Sequence, residues 1–452
     1  MQGIFDHFIK GFEAAHAARN GDERRIGAEL KFPLVDAAGR AVPREVVDAL
    51  WDYLVACGWS PVTDAMTGTV VGARTPGEQN DTVASCETGY CKTEFSLAHV
   101  ATLFDLERAV CDLRATLTAF ARRHDCRFLG YGIHPVSPPH RDLLMRKTRT
   151  STWDRIFPSN RHIPPEDGFD LHLFTINAAS HVHVSVSREE AIPLVNVLNG
   201  FAGAQIALTA HSNVWRGALD PTYKCVAEKF WDWWMPDTGR VGIPASPFDD
   251  LEHYVGTITA LKPVYVKRDG QPILLSQHDT FGDYYRARAP VGVALDGDEV
   301  PLAPEPADID LHSTCYWYNA RLSHYYTVEN RVNDQQPPDD LLCVAALTLG
   351  LASALPAAVR ELGRYDWADL RATRETACRV GLDGHGTPTP LLDLAGQVVG
   401  LAKRGLRARG LGEEPFLDPL VKRLQDRRCP ADEAAALFEQ DGIEGLVAAR
   451  SL

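Results

Sequence analysis

The chain has 452 residues, with 46 basic and 60 acidic side chains and a formal net charge of −14. This acidic balance argues against non-specific nucleic-acid binding, because such binding requires lysine and arginine side chains that neutralise phosphates. A hydrophobic fraction of 45% is typical of a globular protein with a sizeable core.

Membrane and secretory signals are not evident in the sequence. The longest apolar stretches, such as residues 341–355, are too short or too interrupted to cross a bilayer. Of the ten cysteines, only Cys86 and Cys91 lie close together, without the second pair typical of a zinc site. We therefore predict reduced thiols and a cytoplasmic protein with no membrane or nucleic-acid partner. The sequence leaves a homo-oligomer open.

The first part of the chain alternates between helix and strand patterns. Residues 4–17 carry apolar side chains at helical spacing, and residues 26–35 alternate apolar with polar side chains as a strand does. Pro43 is placed to open a second helix. A second strand is predicted over residues 87–96, and a long helix over residues 102–124.

The later elements differ in character from these. Residues 181–187 alternate almost perfectly and predict a half-buried strand, followed by a helix over residues 189–212. Residues 216–310 are rich in proline, glycine and aromatic side chains, which predicts lid-like loops that cover a substrate. A last strand is predicted over residues 325–331, and an alanine- and leucine-rich helical region over residues 341–452.

These patterns predict an α+β fold with a mostly antiparallel central sheet, flanking helices and a helical C-terminal region. We expect a catalytic region over residues 1–340 and a helical region over 341–452 packed against it. The sequence contains neither a G-x-G-x-x-G motif after a strand nor a Walker P-loop, so the two common nucleotide-binding motifs are missing.

Several acidic side chains fall on the predicted strands. If these strands are neighbours, five side chains converge on one surface: Glu29, Glu87, Glu94, His183 and Glu329. Four carboxylates cannot share a dry surface unless cations neutralise them. Such oxygen-rich sites suit Mg²⁺ or Mn²⁺, which in turn bridge nucleotide phosphates. A single strand glutamate is ordinarily a surface acid, so the grouping carries the hypothesis.

Cationic side chains accompany this group. Arg331 follows Glu329 by two residues and shares its strand face, which suits a phosphate or an acyl phosphate, or an ordinary ion pair. Asp334 could fix that arginine or bind a metal. A basic cluster is a second candidate binding site for anions, either the phosphates of ATP or a substrate carboxylate. The alternative is that it is a solvated loop. Its members are Arg146, Lys147, Arg149 and Arg155, with Arg161 close by.

Two further patterns are less specific. His181 and His183 lie on one strand face, a pairing that binds metal in a minority of cases. The tryptophan-rich segment 231–234 is interpreted as core or loop anchor, and otherwise as an aromatic wall of a pocket.

Six short segments, taken in chain order, resemble motifs of the glutamate–cysteine ligase family, in its bacterial and plant-like branch of carboxylate–amine ligases. Ile26–Glu29 resembles the family's opening I-G-x-E strand, and residues 326–334 resemble its Y-x-E-x-R-x-x-D strand. The intervening matches are residues 87–96, 128–135, 180–184 and 210–217.

The resemblance implies a fold of the glutamine synthetase and guanidino kinase type and an ATP-dependent ligase that joins a small acid to a small amine. It implies that γ-glutamylcysteine, or a close variant, forms through an acyl phosphate. The implied metal ligands are Glu29, Glu87, Glu94, His183 and Glu329. Glu329 and Arg331 are the implied catalytic pair, with Arg331 serving the phosphoryl group in transit.

Two features depart from the family pattern. The family usually has Glu-x-Glu in its first strand, whereas this chain has Glu29 followed by Lys31. A cation thus replaces one metal ligand, and we expect fewer bound metals. The second departure is Ser212-Asn213-Val214 after His211, where the family has Asn-Ser-Pro, and we expect this loop to differ. Two other readings stay open: a metal–ATP phosphotransferase, and a homologue that binds ATP or substrate without catalysis.

Overall fold

The computed structural model describes residues 2–18, 23–77, 80–236, 238–384 and 389–452. Its helices are α1 (Gln2–Ala18), α2 (Arg44–Ala56), α3 (Leu103–His124), α4 (Thr148–Ile156), α5 (Arg188–Gly200), α6 (Ala202–Thr209), α7 (Val226–Trp234), α8 (Leu251–Ala260), α9 (Phe281–Arg286), α10 (Pro306–His312), α11 (Cys343–Ser353), α12 (Leu355–Leu362), α13 (Trp367–Val380), α14 (Leu391–Arg409), α15 (Asp418–Asp426) and α16 (Pro430–Arg450).

The strands are β1 (Ile26–Val35), β2 (Ser60–Thr63), β3 (Val70–Arg74), β4 (Val83–Cys86), β5 (Lys92–Ser96), β6 (Arg127–Phe128), β7 (Ala179–Ser185), β8 (Val214–Trp215), β9 (Ala218–Leu219), β10 (Val241–Gly242), β11 (Tyr265–Arg268), β12 (Gln271–Leu274), β13 (Val291–Ala294), β14 (Glu299–Pro301), β15 (Trp317–Tyr318), β16 (Ala320–Leu322) and β17 (Thr327–Asp334).

The largest sheet of the described chain has nine strands in the order β16-β17-β7-β1-β5-β4-β3-β2, with β6 paired to β1. Every pairing within it is antiparallel. The predicted α+β fold with a mainly antiparallel central sheet is therefore confirmed. A separate parallel pairing joins β10 to β15.

Helices cover one face of this sheet. Helices α5, α6 and α11 contact strands β7, β16 and β17. Strand β1 turns Ala28, Leu30 and Phe32 toward the buried core, and alternation sends Glu29 and Lys31 to the opposite face. The hydrophobic core includes residues from before and after residue 340. The division at residue 340 stays a prediction.

Several element boundaries differ from the sequence prediction. The predicted strand over 87–96 is a hairpin, in which β4 ends at Cys86 and β5 begins at Lys92. The predicted helix over 189–212 is two helices bent by 55° at Phe201. The bend follows Gly200, where a side-chain β-carbon would meet Leu362 at 2.4 Å.

Residues 216–310 are more regular than predicted. They contain helices α7 to α10 and a four-stranded antiparallel sheet, in the order β11-β12-β13-β14. The expectation of irregular loops is therefore wrong, because short strands interrupted by proline and glycine lack a long alternating pattern. The lid-like role of this segment stays a prediction.

The helices differ in length and in apolar character. Within the described ranges, every unbroken helix is too short or too polar to cross a bilayer. Two pairs of consecutive helices, α5 with α6 and α11 with α12, are together long and apolar enough for a bilayer, but each pair is sharply bent at its junction.

A close contact between α11 and α14 yields a first prediction. At Gly405 an added β-carbon would lie 1.9 Å from the Gly350 carbonyl oxygen, whereas at Gly396, on the same helix, it would meet nothing within 4 Å. We expect Gly405→Ala to lower the free energy of unfolding by about 1–3 kcal/mol through overpacking. The control Gly396→Ala should be neutral or raise it by up to about 1 kcal/mol. Urea unfolding measures both, and equal effects would contradict the close packing.

Candidate functional site

Four neighbouring strands, β17, β7, β1 and β5, carry charged side chains on the sheet face opposite the helices. Antiparallel register pairs Lys31 with Glu94, and it pairs Glu329 with His183. Because directly opposed side chains on one face lie close together, these pairs form one continuous polar surface. The surface lines a cavity of about 300 Å³.

Glu29, His183 and Glu329 form a group suited to one metal ion. Their ligand atoms all lie within 4.8 Å of one another. The His183 Nε2 atom is 3.1 Å from Glu29 Oε1 and 4.0 Å from Glu329 Oε1. Its Nδ1 atom lies 3.0 Å from Thr327 Oγ1. A hydrogen bond there orients the ring so that Nε2 faces the two carboxylates.

The protonation of His183 reflects these neighbours. Burial lowers its pKa, but the hydrogen bond to Glu29 and the charge of Glu329 together raise it above its usual value. A protonated imidazole can bridge the two carboxylates. A divalent cation would displace that proton, because metal ligation requires the neutral ring.

Glu87 and Glu94, two of the five predicted metal ligands, lie around Lys31 instead. The Lys31 ammonium forms a close ion pair with Glu94 and lies 3.8 Å from Glu87 Oε1. It also lies 3.0 Å from Glu29 Oε2. Glu87 belongs to the hairpin turn rather than to a strand, yet it lines the same cavity. The predicted five-residue set therefore divides into two groups that share Glu29.

The acids of this group have opposite pKa shifts. Burial and the neighbouring Glu29 and Glu87 carboxylates raise the pKa of Glu94 to about 8, against the lowering effect of Lys31. Burial also raises the pKa of Glu87, but the Lys31 and Lys92 ammonium groups hold it well below its usual range. The two carboxylates beside Lys31 therefore have pKa shifts of opposite direction.

Two arginines hold Glu329. Arg331 forms a close ion pair with Glu329 Oε1, and Arg321 Nε donates to Glu329 Oε2 over 2.8 Å. Arg321 lies on β16, directly opposite Glu329. Its role was not predicted, because β16 has three residues and is too short to show an alternating pattern. Arg331 also lies over the Trp231 ring, 6.0 Å from its centroid.

Aromatic side chains form the inner wall of the cavity. Its lining includes Phe174, Trp153, Trp231, Trp234 and Trp317. Ring centroids of neighbouring tryptophans lie 5.0–6.1 Å apart. Two members of the tryptophan-rich segment 231–234 thus belong to the pocket wall, which was the less favoured reading of that segment.

The structure divides the predicted basic cluster. Lys147 and Arg149 line the cavity. Arg149 stacks on Trp153, with 4.3 Å between the guanidinium carbon and the ring centroid. Arg146 and Arg155 are exposed and lie outside the cavity lining. Their predicted contact with ATP stays a prediction.

Two buried charged residues at the cavity were missed by the sequence analysis. Lys92 donates to the Phe174 carbonyl oxygen and to Asn177 Oδ1, each over 2.9 Å. Burial lowers its pKa to about 8 despite the opposing effect of Glu87. Glu228 on α7 accepts a hydrogen bond from Arg374 on α13 over 2.7 Å. Glu228 is an isolated charge on a helix and carries no periodic signal. Lys92 is the first residue of β5, next to a hairpin turn that the sequence analysis interpreted as continuous strand.

Asp334 is part of the structural support rather than a partner of Arg331. Its Oδ2 atom accepts hydrogen bonds from the His211 backbone N–H over 2.7 Å and from Ser212 Oγ over 2.8 Å. It thereby fixes the segment that follows α6 against the end of β17.

Comparison with known proteins identifies the family. The sequence model that describes glutamate–cysteine ligase family 2 matches residues 25–449 of this chain. This chain belongs to that family. The resemblance inferred from the six segments is thereby confirmed, and the chain is a glutamate–cysteine ligase-like enzyme of the carboxylate–amine ligase class.

Individual members of the glutamate–cysteine ligase family 2 are distant from this chain. A Rubrobacter xylanophilus protein named "Putative glutamate–cysteine ligase 2-3" is 23% identical over 428 residues, which cover 92% of this chain and 93% of the relative. A Mycolicibacterium smegmatis protein of the same name is 25% identical over 299 residues, which cover 61% of this chain and 75% of the relative.

Solved structures share the fold. The Francisella tularensis glutamate–cysteine ligase, crystallised in complex with AMP, aligns with a TM-score of 0.54 at 11% identity, covering 95% of this chain and 87% of that protein. The bifunctional glutathione synthetase of Pasteurella multocida aligns with a TM-score of 0.52 at 12% identity. That alignment covers 97% of this chain but 52% of the larger protein.

The burial of Asp334 predicts a pH-dependent stability. Burial raises its pKa from 3.8 to about 7. The folded protein therefore retains a proton that the unfolded chain releases, and this contribution is lost as the pH rises from about 4 to about 7. We expect wild type to lose up to about 4 kcal/mol of unfolding free energy across this range relative to Asp334→Asn. Urea unfolding at stepped pH measures this difference, and parallel pH profiles would refute it.

Proposed function

We propose that this protein is an ATP-dependent carboxylate–amine ligase that activates an acid as an acyl phosphate and joins it to an amine. The substrates that fit the family best are glutamate and cysteine, which yield γ-glutamylcysteine, or close variants of either. The proposal rests on one observation above all. The Glu29, His183 and Glu329 group lies beside Arg331 in a single cavity.

The donor set fits a divalent cation. Two carboxylates and one imidazole are ligands that Mg²⁺ and Mn²⁺ accept. Glu29, His183 and Glu329 would hold the ion, with Thr327 orienting the His183 ring. When bound, such an ion neutralises phosphate charge and orients the phosphoryl group.

The cationic side chains of the cavity suit the anionic substrates. Arg331 pairs with Glu329, one of the proposed metal ligands, and its guanidinium group can donate several hydrogen bonds to a phosphoryl group. Lys147 and Arg149 lie on the same cavity and can receive further phosphate oxygens or a substrate carboxylate. The likeness to the Francisella tularensis ligase, crystallised with AMP, supports an adenine nucleotide as the phosphoryl donor.

The aromatic wall suits the chemistry of an acyl phosphate. Water hydrolyses such an intermediate, so the amine must reach it in a site from which water is excluded. Trp231, Trp234 and Trp317 present apolar surface to the cavity beside Arg331. Their side chains would shield the reacting carbon while the amine attacks and the phosphate leaves.

A non-catalytic homologue is the second candidate, and one observation favours it. The carboxylates of the site already have cationic partners within the chain. Lys31 contacts Glu29, Glu87 and Glu94. Arg321 and Arg331 contact Glu329. A site whose charges are compensated in this way would bind substrates without needing a metal.

The test is an ADP-release assay with Mg²⁺, ATP, a panel of acids that includes glutamate, and a panel of amines that includes cysteine. A ligase releases ADP in quantity only when both an acid and an amine are present. ADP release with a single acceptor that becomes stably phosphorylated would indicate a phosphotransferase instead. ATP binding without turnover across both panels would favour the non-catalytic homologue.

Glu329 offers a matched test of catalysis. Glu329→Gln keeps the side-chain shape but removes a charge from the proposed metal ligands, and we expect a rate loss of at least about 100-fold. The control Glu439→Gln changes an exposed glutamate on α16 and should leave the rate unchanged. Thermal unfolding of both variants checks that the fold is retained. An unaltered rate in Glu329→Gln at saturating Mg²⁺ would remove Glu329 from the reaction.

His183 offers a test of metal binding that does not depend on turnover. His183→Gln removes the imidazole ligand, and we expect Mn²⁺ affinity to fall about 10–100-fold or more. His278→Gln is the control, because His278 contacts the Val291 carbonyl oxygen outside the cavity. Electron paramagnetic resonance of free Mn²⁺ gives both affinities. Equal affinities in the two variants would exclude His183 as a ligand.

A further inference from the structure

We propose that the ammonium group of Lys31 occupies one of two adjacent cation positions in the site, so that the chain binds one divalent ion where its carboxylates could hold two. This inference rests on the proposed function, because it concerns how many ions accompany the nucleotide.

The surroundings of the Lys31 ammonium are those of a coordinated cation. The side chain is 5% exposed. Its Nζ atom forms a close ion pair with Glu94, lies 3.0 Å from Glu29 Oε2 and lies 3.2 Å from His181 Nδ1. An ammonium has three protons to donate. All three are directed at carboxylate or imidazole atoms, the groups that also ligate metals.

The chain contains a second buried lysine that shows the contrast. Lys92 lies beside Lys31 on the same cavity, but its Nζ atom donates to two uncharged oxygen atoms, the Phe174 carbonyl and Asn177 Oδ1. Its nearest carboxylate oxygen, on Glu87, is 3.9 Å away. Burial of a lysine in this protein therefore does not by itself produce a cage of carboxylates.

Glu29 connects the two cation positions. Its Oε2 atom faces Lys31, whereas its Oε1 atom lies 3.1 Å from His183 Nε2, on the side of the proposed metal ligands. A carboxylate with one cation on each oxygen is the bridge that joins the ions of two-metal sites. Here one side of that bridge carries an ammonium.

The ammonium group and a divalent ion cannot both occupy the position between Glu29, Glu87 and Glu94. A divalent ion bound by Glu29, Glu87 and Glu94 would lie within about 3 Å of the Lys31 nitrogen, where repulsion between like charges is severe. The His181 Nδ1 atom, 3.2 Å from the Lys31 ammonium, is the acceptor in that contact, because an ammonium group can only donate. The lysine therefore closes this position to metal for as long as it stays in place.

The experiment counts Mn²⁺ bound per chain, by equilibrium dialysis with a saturating non-hydrolysable ATP analogue, in wild type, Lys31→Glu and Lys31→Arg. We expect Lys31→Glu to bind one Mn²⁺ more per chain than wild type, because the ammonium is replaced by a ligand. Lys31→Arg retains the positive charge and should match wild type. Equal counts in all three proteins, each with the analogue bound, would overturn the inference and leave the proposed function intact.

A second variant covers the case in which Lys31→Glu fails to fold. Lys31→Met removes the charge with little change in length and leaves Glu29, Glu87 and Glu94 without their shared cation. We expect Mn²⁺ alone to raise its thermal midpoint by more than it raises that of wild type, since an ion that binds only the folded state stabilises it. An equal or smaller rise would overturn the inference. If wild type retained neither Mn²⁺ nor the analogue, the proposed function itself would fail.

Discussion

The arrangement of the site depends on the compensation of charge across one face of the central sheet. Several carboxylates on a single face would repel one another unless cations lie between them. The strand order β16-β17-β7-β1-β5 places cationic side chains next to the carboxylates. From edge to centre, Arg321 opposes Glu329 and Glu329 opposes His183, and further along the sheet Lys31 opposes Glu94. Register, rather than any single contact, therefore decides which charges meet.

This dependence explains what could be predicted from the sequence. Period-two alternation identified strands β1, β7 and β17, and it assigned Glu29, His183 and Glu329 to one face. The order of short motifs then indicated the family, which the match over residues 25–449 confirmed. Strand patterns are reliable here because the opposite face of each strand is buried against helices, so that one register alone hides the apolar side chains.

The remaining features required three-dimensional information. Glu87 reaches the cavity from a hairpin turn, and Lys92 reaches it from the start of the next strand. Arg321 arrives through the pairing of a three-residue strand, which is too short to show alternation. The division of the five predicted ligands depended on where one ammonium lies, and sequence spacing cannot show how a flexible lysine side chain is directed.

The ion pair between Glu228 and Arg374 has a consequence for dissecting the protein. Glu228 lines the cavity from α7, whereas Arg374 belongs to α13 in the helical C-terminal part of the chain, and both side chains are buried. A truncated protein ending near residue 340 would leave Glu228 as a buried charge without its partner, a loss that typically costs several kcal/mol. It would also uncover the apolar side chains that α11 buries against β7. A fragment that carries the proposed metal ligands would therefore have to retain the C-terminal helices as well in order to keep this ion pair and this packing.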